Sequence, residues 1–160
     1  MKKIIFMLMV GFFSCTSRTS EKANETSSAE QPSFQGICGY LTISEMEDAL
    51  GVNLTGTPEE FSDADMGTGC SFNGAESGGN ANFGYIAAGG SSGFEKAKTG
   101  EPVVDVGDEA YLVNGADALQ LWARQGNNYV VVALGDKPRP EPCKKLARLL
   151  LQRFEAHPFQ

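Results

Sequence analysis

Lys2 and Lys3 precede a ten-residue apolar run, Ile4 to Phe13, interrupted only by Gly11. Such a run is too short to cross a bilayer, which takes roughly 20 residues. A positive start followed by a short apolar stretch is instead the pattern of an export signal. Residues 1–14 are therefore set aside as a signal segment. The rest of the chain is expected to fold outside the cytoplasm, where cysteines can pair.

The run ends in Phe12-Phe13-Ser14-Cys15, which resembles the bacterial lipobox: apolar residues, a small residue, then cysteine. The resemblance implies that the Cys15 thiol takes a diacylglyceryl group and becomes the mature N-terminus. The membrane is then a partner through Cys15, and the location is the cell envelope, on the periplasmic or surface side. Residues 15–35 almost lack large apolar side chains. They cannot bury enough surface to offset the entropy of ordering. They read as a tether, and twenty flexible residues reach about 25 Å.

Residues 36–156 are expected to form a single domain, with 157–160 as a tail. That length suffices for a core without heavy stapling. The whole chain has a net charge of −7 and a pI near 4.7, which argues against nucleic acid, whose phosphates need a basic surface. Charge is unevenly placed. Residues 37–136 hold 15 acids and 3 bases (Lys96, Lys98, Arg124), whereas 137–160 hold 6 bases and 2 acids. Either a basic C-terminal helix packs beside an acidic sheet domain, or the domain presents an acidic face to a cationic partner.

Thr42 and Glu45 have capping-box spacing, Leu41 and Met46 can form a hydrophobic staple, and Gly51 suits a left-handed stop, so a helix opens the domain. Strands are expected at Cys70–Phe72 and Ala81–Ala87, joined by the glycine-rich stretch Asn73–Asn80. Ser92 and Glu95, again at capping-box spacing, mark a short helix to Lys98. Further strands are read at Pro102–Val106, Glu109–Val113 and Ala118–Arg124. Tyr129–Leu134 is continuously apolar, as a central strand would be, and Gly126-Asn127 is a tight-turn signal before it. A last helix opens at Pro142, with Cys143, Leu146, Ala147, Leu150 and Phe154 at helical spacing. The fold class is α+β: a mostly antiparallel sheet packed with N- and C-terminal helices, sandwich-like.

Several of these segments together resemble small bacterial envelope lipoproteins known only as domains of unknown function. The carrying motifs are Cys38-Gly39-Tyr40-Leu41-Thr42, Cys70-Ser71-Phe72, Val106-Gly107-Asp108-Glu109-Ala110-Tyr111, and Cys143 opening a C-terminal helix. The resemblance covers roughly residues 38–154 and implies an α+β sandwich on a lipid anchor. Such families often place a further cysteine in the strand occupied here by Ala118–Arg124, and this sequence has none. With Cys15 acylated, Cys38, Cys70 and Cys143 allow three single pairs and one orphan. Cys38–Cys70 is favoured, because it matches the family-like pattern and would fasten the first helix to the first strand. Cys38–Cys143 is the competing pairing.

Catalytic signals are sparse. There is no Gly-x-Ser-x-Gly elbow, and a serine triad or a three-cysteine zinc site would have to recruit His157, the sole histidine, from the tail. Asp63-Ala64-Asp65 and Asp105 with Asp108-Glu109 are the carboxylate clusters a hydrolase could use. The first departs from a calcium loop, whose twelfth position is here Gly74, and the clusters read as solvated loops. No cofactor, metal or catalytic residue is expected. On the strand 118–124, Trp122 shares one face with Gln120 and Arg124, either packed beneath a helix or open as a contact surface. Asp63, Asp65, Gln120, Trp122 and Arg124 are thus the candidate binding residues. The leading expectation is a non-catalytic binding or accessory module of the envelope. The alternatives are an acidic inhibitor of a cationic wall-degrading hydrolase and a carboxylate-dependent hydrolase.

Overall fold

A computed structural model of the chain describes residues 31–74, 83–135 and 140–159. Residues 1–30, which hold the expected signal segment, Cys15 and most of the expected tether, and most of the glycine-rich stretch 73–80 lie outside the described residues.

The described chain is α+β. A short 3-10 turn at Ile37–Tyr40 leads into α1, Ile43–Leu50. Strands β1, Glu59–Asp63, and β2, Gly67–Asn73, form a hairpin, and β3 follows at Phe83–Gly89. Then come α2, Ser91–Ala97, and the two-residue β4, Glu101–Pro102. Strands β5, Glu109–Asn114, β6, Ala118–Gln125, and β7, Asn128–Gly135, precede α3, Pro140–Ala156. All seven strands pair antiparallel in the order β1-β2-β3-β7-β6-β5-β4.

Local chemistry explains most boundaries. Thr42 Oγ1 accepts from the Glu45 amide at 3.2 Å while Glu45 Oε2 accepts from the Thr42 amide at 2.8 Å, so the capping box closes in both directions. Gly51 ends α1 at φ 73°, its amide donating to the Glu47 carbonyl at 2.7 Å. Gly126, at φ 58°, takes the first central position of the two-residue loop between Gln125 and Asn128, which closes the β6–β7 hairpin. The register then puts Leu119, Leu121 and Ala123 on the same face as Val130, Val132 and Leu134. β7 is buried on both faces, which accounts for its unbroken apolar sequence.

One face of the sheet carries α1 and α3, and the main core lies between them. Met46 and Leu50 from α1 meet Leu146, Ala147, Leu150 and Phe154 from α3 above Ile86, Leu121 and Val132. Arg153 clamps the two helices. Its guanidinium donates to both Glu45 carboxylate oxygens at 2.7 and 2.8 Å and to the Tyr40 carbonyl at 2.6 Å. Among the described residues, the opposite face carries only α2, over a smaller core of Ala87, Phe94, Ala97, Trp122 and Val131. No helix among the described residues is long and apolar enough to cross a membrane.

Cys38 and Cys70 are joined, tying the 3-10 turn to β2, and Cys143 is a free, buried thiol. Four local expectations are corrected. The segment 102–106 is a strand only through Pro102, because Asp105 (φ 67°) and Gly107 (φ 60°) turn the backbone out of the sheet. Ser92 does not cap α2. The helix starts after Gly90, which has no side chain to cap with, and the Asp65 carbonyl accepts from the Gly93 amide at 3.1 Å instead. α3 opens at Pro140 rather than Pro142, with proline at the first helical position, where its missing N–H costs nothing. Residues 157–159 are not a loose tail. His157 stacks on Phe34 with ring centroids 4.1 Å apart, its carbonyl accepts from the Tyr40 hydroxyl at 2.8 Å, and Phe159 packs on Tyr40 and Phe154.

Candidate functional site

The site is built where the β1–β2 turn meets α2 and the middle of the sheet. Asp63 ends β1, and its Oδ1 accepts from the Asp65 and Met66 amides at 2.8 and 2.9 Å, which folds the turn. That turn presents the Asp65 carbonyl to Gly93 and the Asp65 carboxylate to Lys96, whose Nζ lies 2.6 and 2.7 Å from its two oxygens. The Lys96 ammonium holds the Asp65 carboxyl below the usual carboxylate range. Asp63 and Asp65 are therefore engaged in shaping the turn and docking α2, rather than merely solvated.

Below α2 lies Trp122. It is 6% exposed, and Gly93 passes so close to its ring that a methyl group at that position would overlap it. Glycine is required here for the approach of helix to ring. The indole Nε1 donates to Gln120 Oε1 at 3.0 Å, and Gln120 Nε2 donates to the Tyr85 hydroxyl at 2.8 Å. The chain Trp122–Gln120–Tyr85 thus crosses from β6 to β3. Burial, with the nearby Asp63 charge, pushes the Tyr85 hydroxyl up to about 12, so it stays protonated at neutral pH.

An open cleft of about 140 Å³ sits at this junction. Trp122, Gln120 and Val113 form its floor on the sheet, and Gly93, Ala97 and the Asp65–Lys96 pair form its rim. The structure therefore brings Asp65, Gln120 and Trp122 to one cleft. Asp63 lies behind it in the turn. Arg124 lies further along β6, with Nη2 3.5 Å from Glu109 Oε2 and Nη1 donating to the Gly126 carbonyl at 3.1 Å. Lys96, Gly93, Val113 and Tyr85 complete the site and were not singled out by sequence. Lys96 carried a readable signal, as one of three bases in an acidic stretch.

The carboxylates with perturbed pKa values all move the same way. In Glu45, burial works upward but the bonds from Arg153 and Thr42 outweigh it. Glu109 is lowered first by its bond from Tyr111, and Glu141 by its bond from Lys144. A general acid at neutral pH needs the opposite shift. Among the described residues, no group of three His, Cys, Asp or Glu side chains converges as a metal cage.

Fold and site together define an α+β protein with one antiparallel sheet, two helices on the main core face, and a small aromatic–amide cleft under a third helix on the other face. No protein-family model, curated protein or solved structure matches the chain.

Proposed function

We propose that this protein is a lipid-anchored component of the bacterial cell envelope that acts as a non-catalytic binding module, with the α2 cleft as its contact site. The observation that carries the binding reading is the convergence of the Trp122 edge, the Gln120 amide and the Asp65–Lys96 pair on one open cleft. An indole edge and an amide beside apolar walls supply adhesion and orientation. Anchoring rests on Cys15 and the apolar run before it. The Cys15→Ala protein is expected to leave the membrane fraction intact and appear in soluble extract. Its retention in membranes would contradict the anchor. For binding, the untethered domain immobilised on resin is expected to retain an envelope component that the cleft-blocked Val113→Arg domain does not. Equal retention by both would contradict the assignment of the cleft.

A second reading, an acidic inhibitor of a cationic wall-degrading hydrolase, is favoured by the edge of the sheet. Glu59, Glu60 and Asp63 stand exposed on β1, while the three bases of this region, Lys96, Lys98 and Arg124, are each drawn into ion pairs. Charged residues on an edge strand also discourage strand-to-strand association, a role that needs no partner. The two roles separate by salt. Binding through this edge is expected to weaken steeply between low and physiological ionic strength, where screening acts over about 8–10 Å.

A further inference from the structure

Across the sheet from the α2 cleft, α1 and α3 are joined at one end by the Glu45–Arg153 pair. Toward the other end they part around an open cleft of about 350 Å³, with Asp48 and Ala49 on one wall and Glu141, Pro142, Lys145 and Arg148 on the other. Small-molecule sites occupy roughly 300–1,000 Å³. Asp48 and Lys145 line the same cleft, yet neither side chain has a hydrogen-bond or ion-pair partner among the described residues.

Arg148 is oriented in advance. Its Nε donates to the Asp105 carbonyl at 2.7 Å, and Asp105 adopts the left-handed φ of 67° that a non-glycine residue rarely takes. The guanidinium keeps its outer N–H groups, which suit two-pronged contact with a carboxylate or phosphate. Lys145 lies three residues earlier on α3 and so shares its side of the helix. Glu141 is already engaged by Lys144 at 2.8 Å, which holds its carboxyl low and keeps it an anion at the rim. Ala49 and Pro142 supply apolar surface between the charged walls.

We infer that the α1–α3 cleft binds a small zwitterion, its acid group held by Arg148 and Lys145 and its ammonium by Asp48. A dipeptide and phosphoethanolamine share this chemistry, one offering a carboxylate and the other a phosphate. The inference rests neither on Cys15 nor on the Trp122 cleft.

The test is isothermal titration of the full chain as isolated, in a non-ionic detergent, with dialanine and phosphoethanolamine as probes. N-acetyl-dialanine, which lacks the ammonium, and dialanine amide, which lacks the carboxylate, are the controls. At least one zwitterion is expected to bind saturably, and the controls of dialanine to bind roughly tenfold more weakly or not at all. The tighter of the two zwitterions identifies a peptide or a lipid-headgroup source. Asp48→Asn is expected to weaken the zwitterion roughly tenfold, and Lys145→Gln to do the same with the fold intact by circular dichroism. No saturable binding of either zwitterion, binding indifferent to blocking of the charged ends, or an Asp48→Asn protein that binds as before would each overturn the inference.

Discussion

Removing the Cys38–Cys70 bridge tests how far the fold depends on a covalent tie. The two residues are 32 positions apart, and closing a loop of that length removes about 12 cal/mol/K from the unfolded chain in the chain-entropy model. At 25 °C this amounts to about 3.7 kcal/mol. Cys70 is fully buried, so truncating it to alanine also leaves a small void, adding on the order of 0.5–1 kcal/mol. The double variant Cys38→Ala/Cys70→Ala is therefore expected to lose about 4–5 kcal/mol, a large share of the 5–15 kcal/mol typical of a domain. The sole tryptophan, Trp122, is buried under α2 and reports unfolding directly. In urea, with a slope of about 1–3 kcal/mol/M, the midpoint should fall by roughly 2 M, and the slope should rise as the unlinked denatured chain expands. A variant within 1 kcal/mol of the parent chain would refute the reasoning, because the loop entropy it assigns to the bridge would be missing.

Three further outcomes follow from the same contacts. Glu45 titrates below its ordinary range when folded, so its contribution is complete above the unfolded carboxyl pKa of about 4.3 and is lost as pH falls through the lower folded value. Arg153→Gln should cost about 1.5–3 kcal/mol at neutral pH, and its gap from the parent chain should narrow in acid; a pH-independent gap in urea titrations would count against the pair. Gly93→Ala should drive a methyl into the Trp122 ring and lower stability by about 1–3 kcal/mol, with altered Trp122 emission; unchanged emission and stability would contradict the close approach of α2 to the ring. Cys143 is fully buried and its thiol is pushed up to about 12, so alkylation at pH 8 should require denaturant; modification of the folded chain would contradict its burial.

What the sequence disclosed depended on whether the relevant contact was local. The capping box of Thr42 and Glu45 and the stop at Gly51 are short-range chemistry, written within ten residues, and both are present as read. β7 was legible because burial on both faces leaves an unbroken apolar run. β1 was not, since an exposed edge strand with Phe61 as its only large apolar residue has no periodic signal. The start of α2 differs from the sequence pattern for a related reason: Ser92 spends its hydroxyl on the Ala64 carbonyl and Asp65, 28 and 27 positions away, rather than on its own helix. The end of the chain looked loose because its partners, Phe34 and Tyr40, lie more than a hundred residues upstream. Of the candidate site, strand alternation placed Gln120 and Trp122 together. Their junction with Asp65 and Lys96 exists only through the docking of α2 on the β1–β2 turn.

Site-specific photo-crosslinking in intact membranes bears most directly on the binding reading. A crosslinking residue in place of Lys96, at the rim of the α2 cleft, is compared with one in place of Glu155, exposed on α3 away from that cleft. The account predicts a defined adduct with an envelope component from position 96, lost when Val113→Arg blocks the cleft floor, and none from position 155. An adduct equally strong from both positions, or no adduct from position 96, would contradict a binding module that works through this cleft.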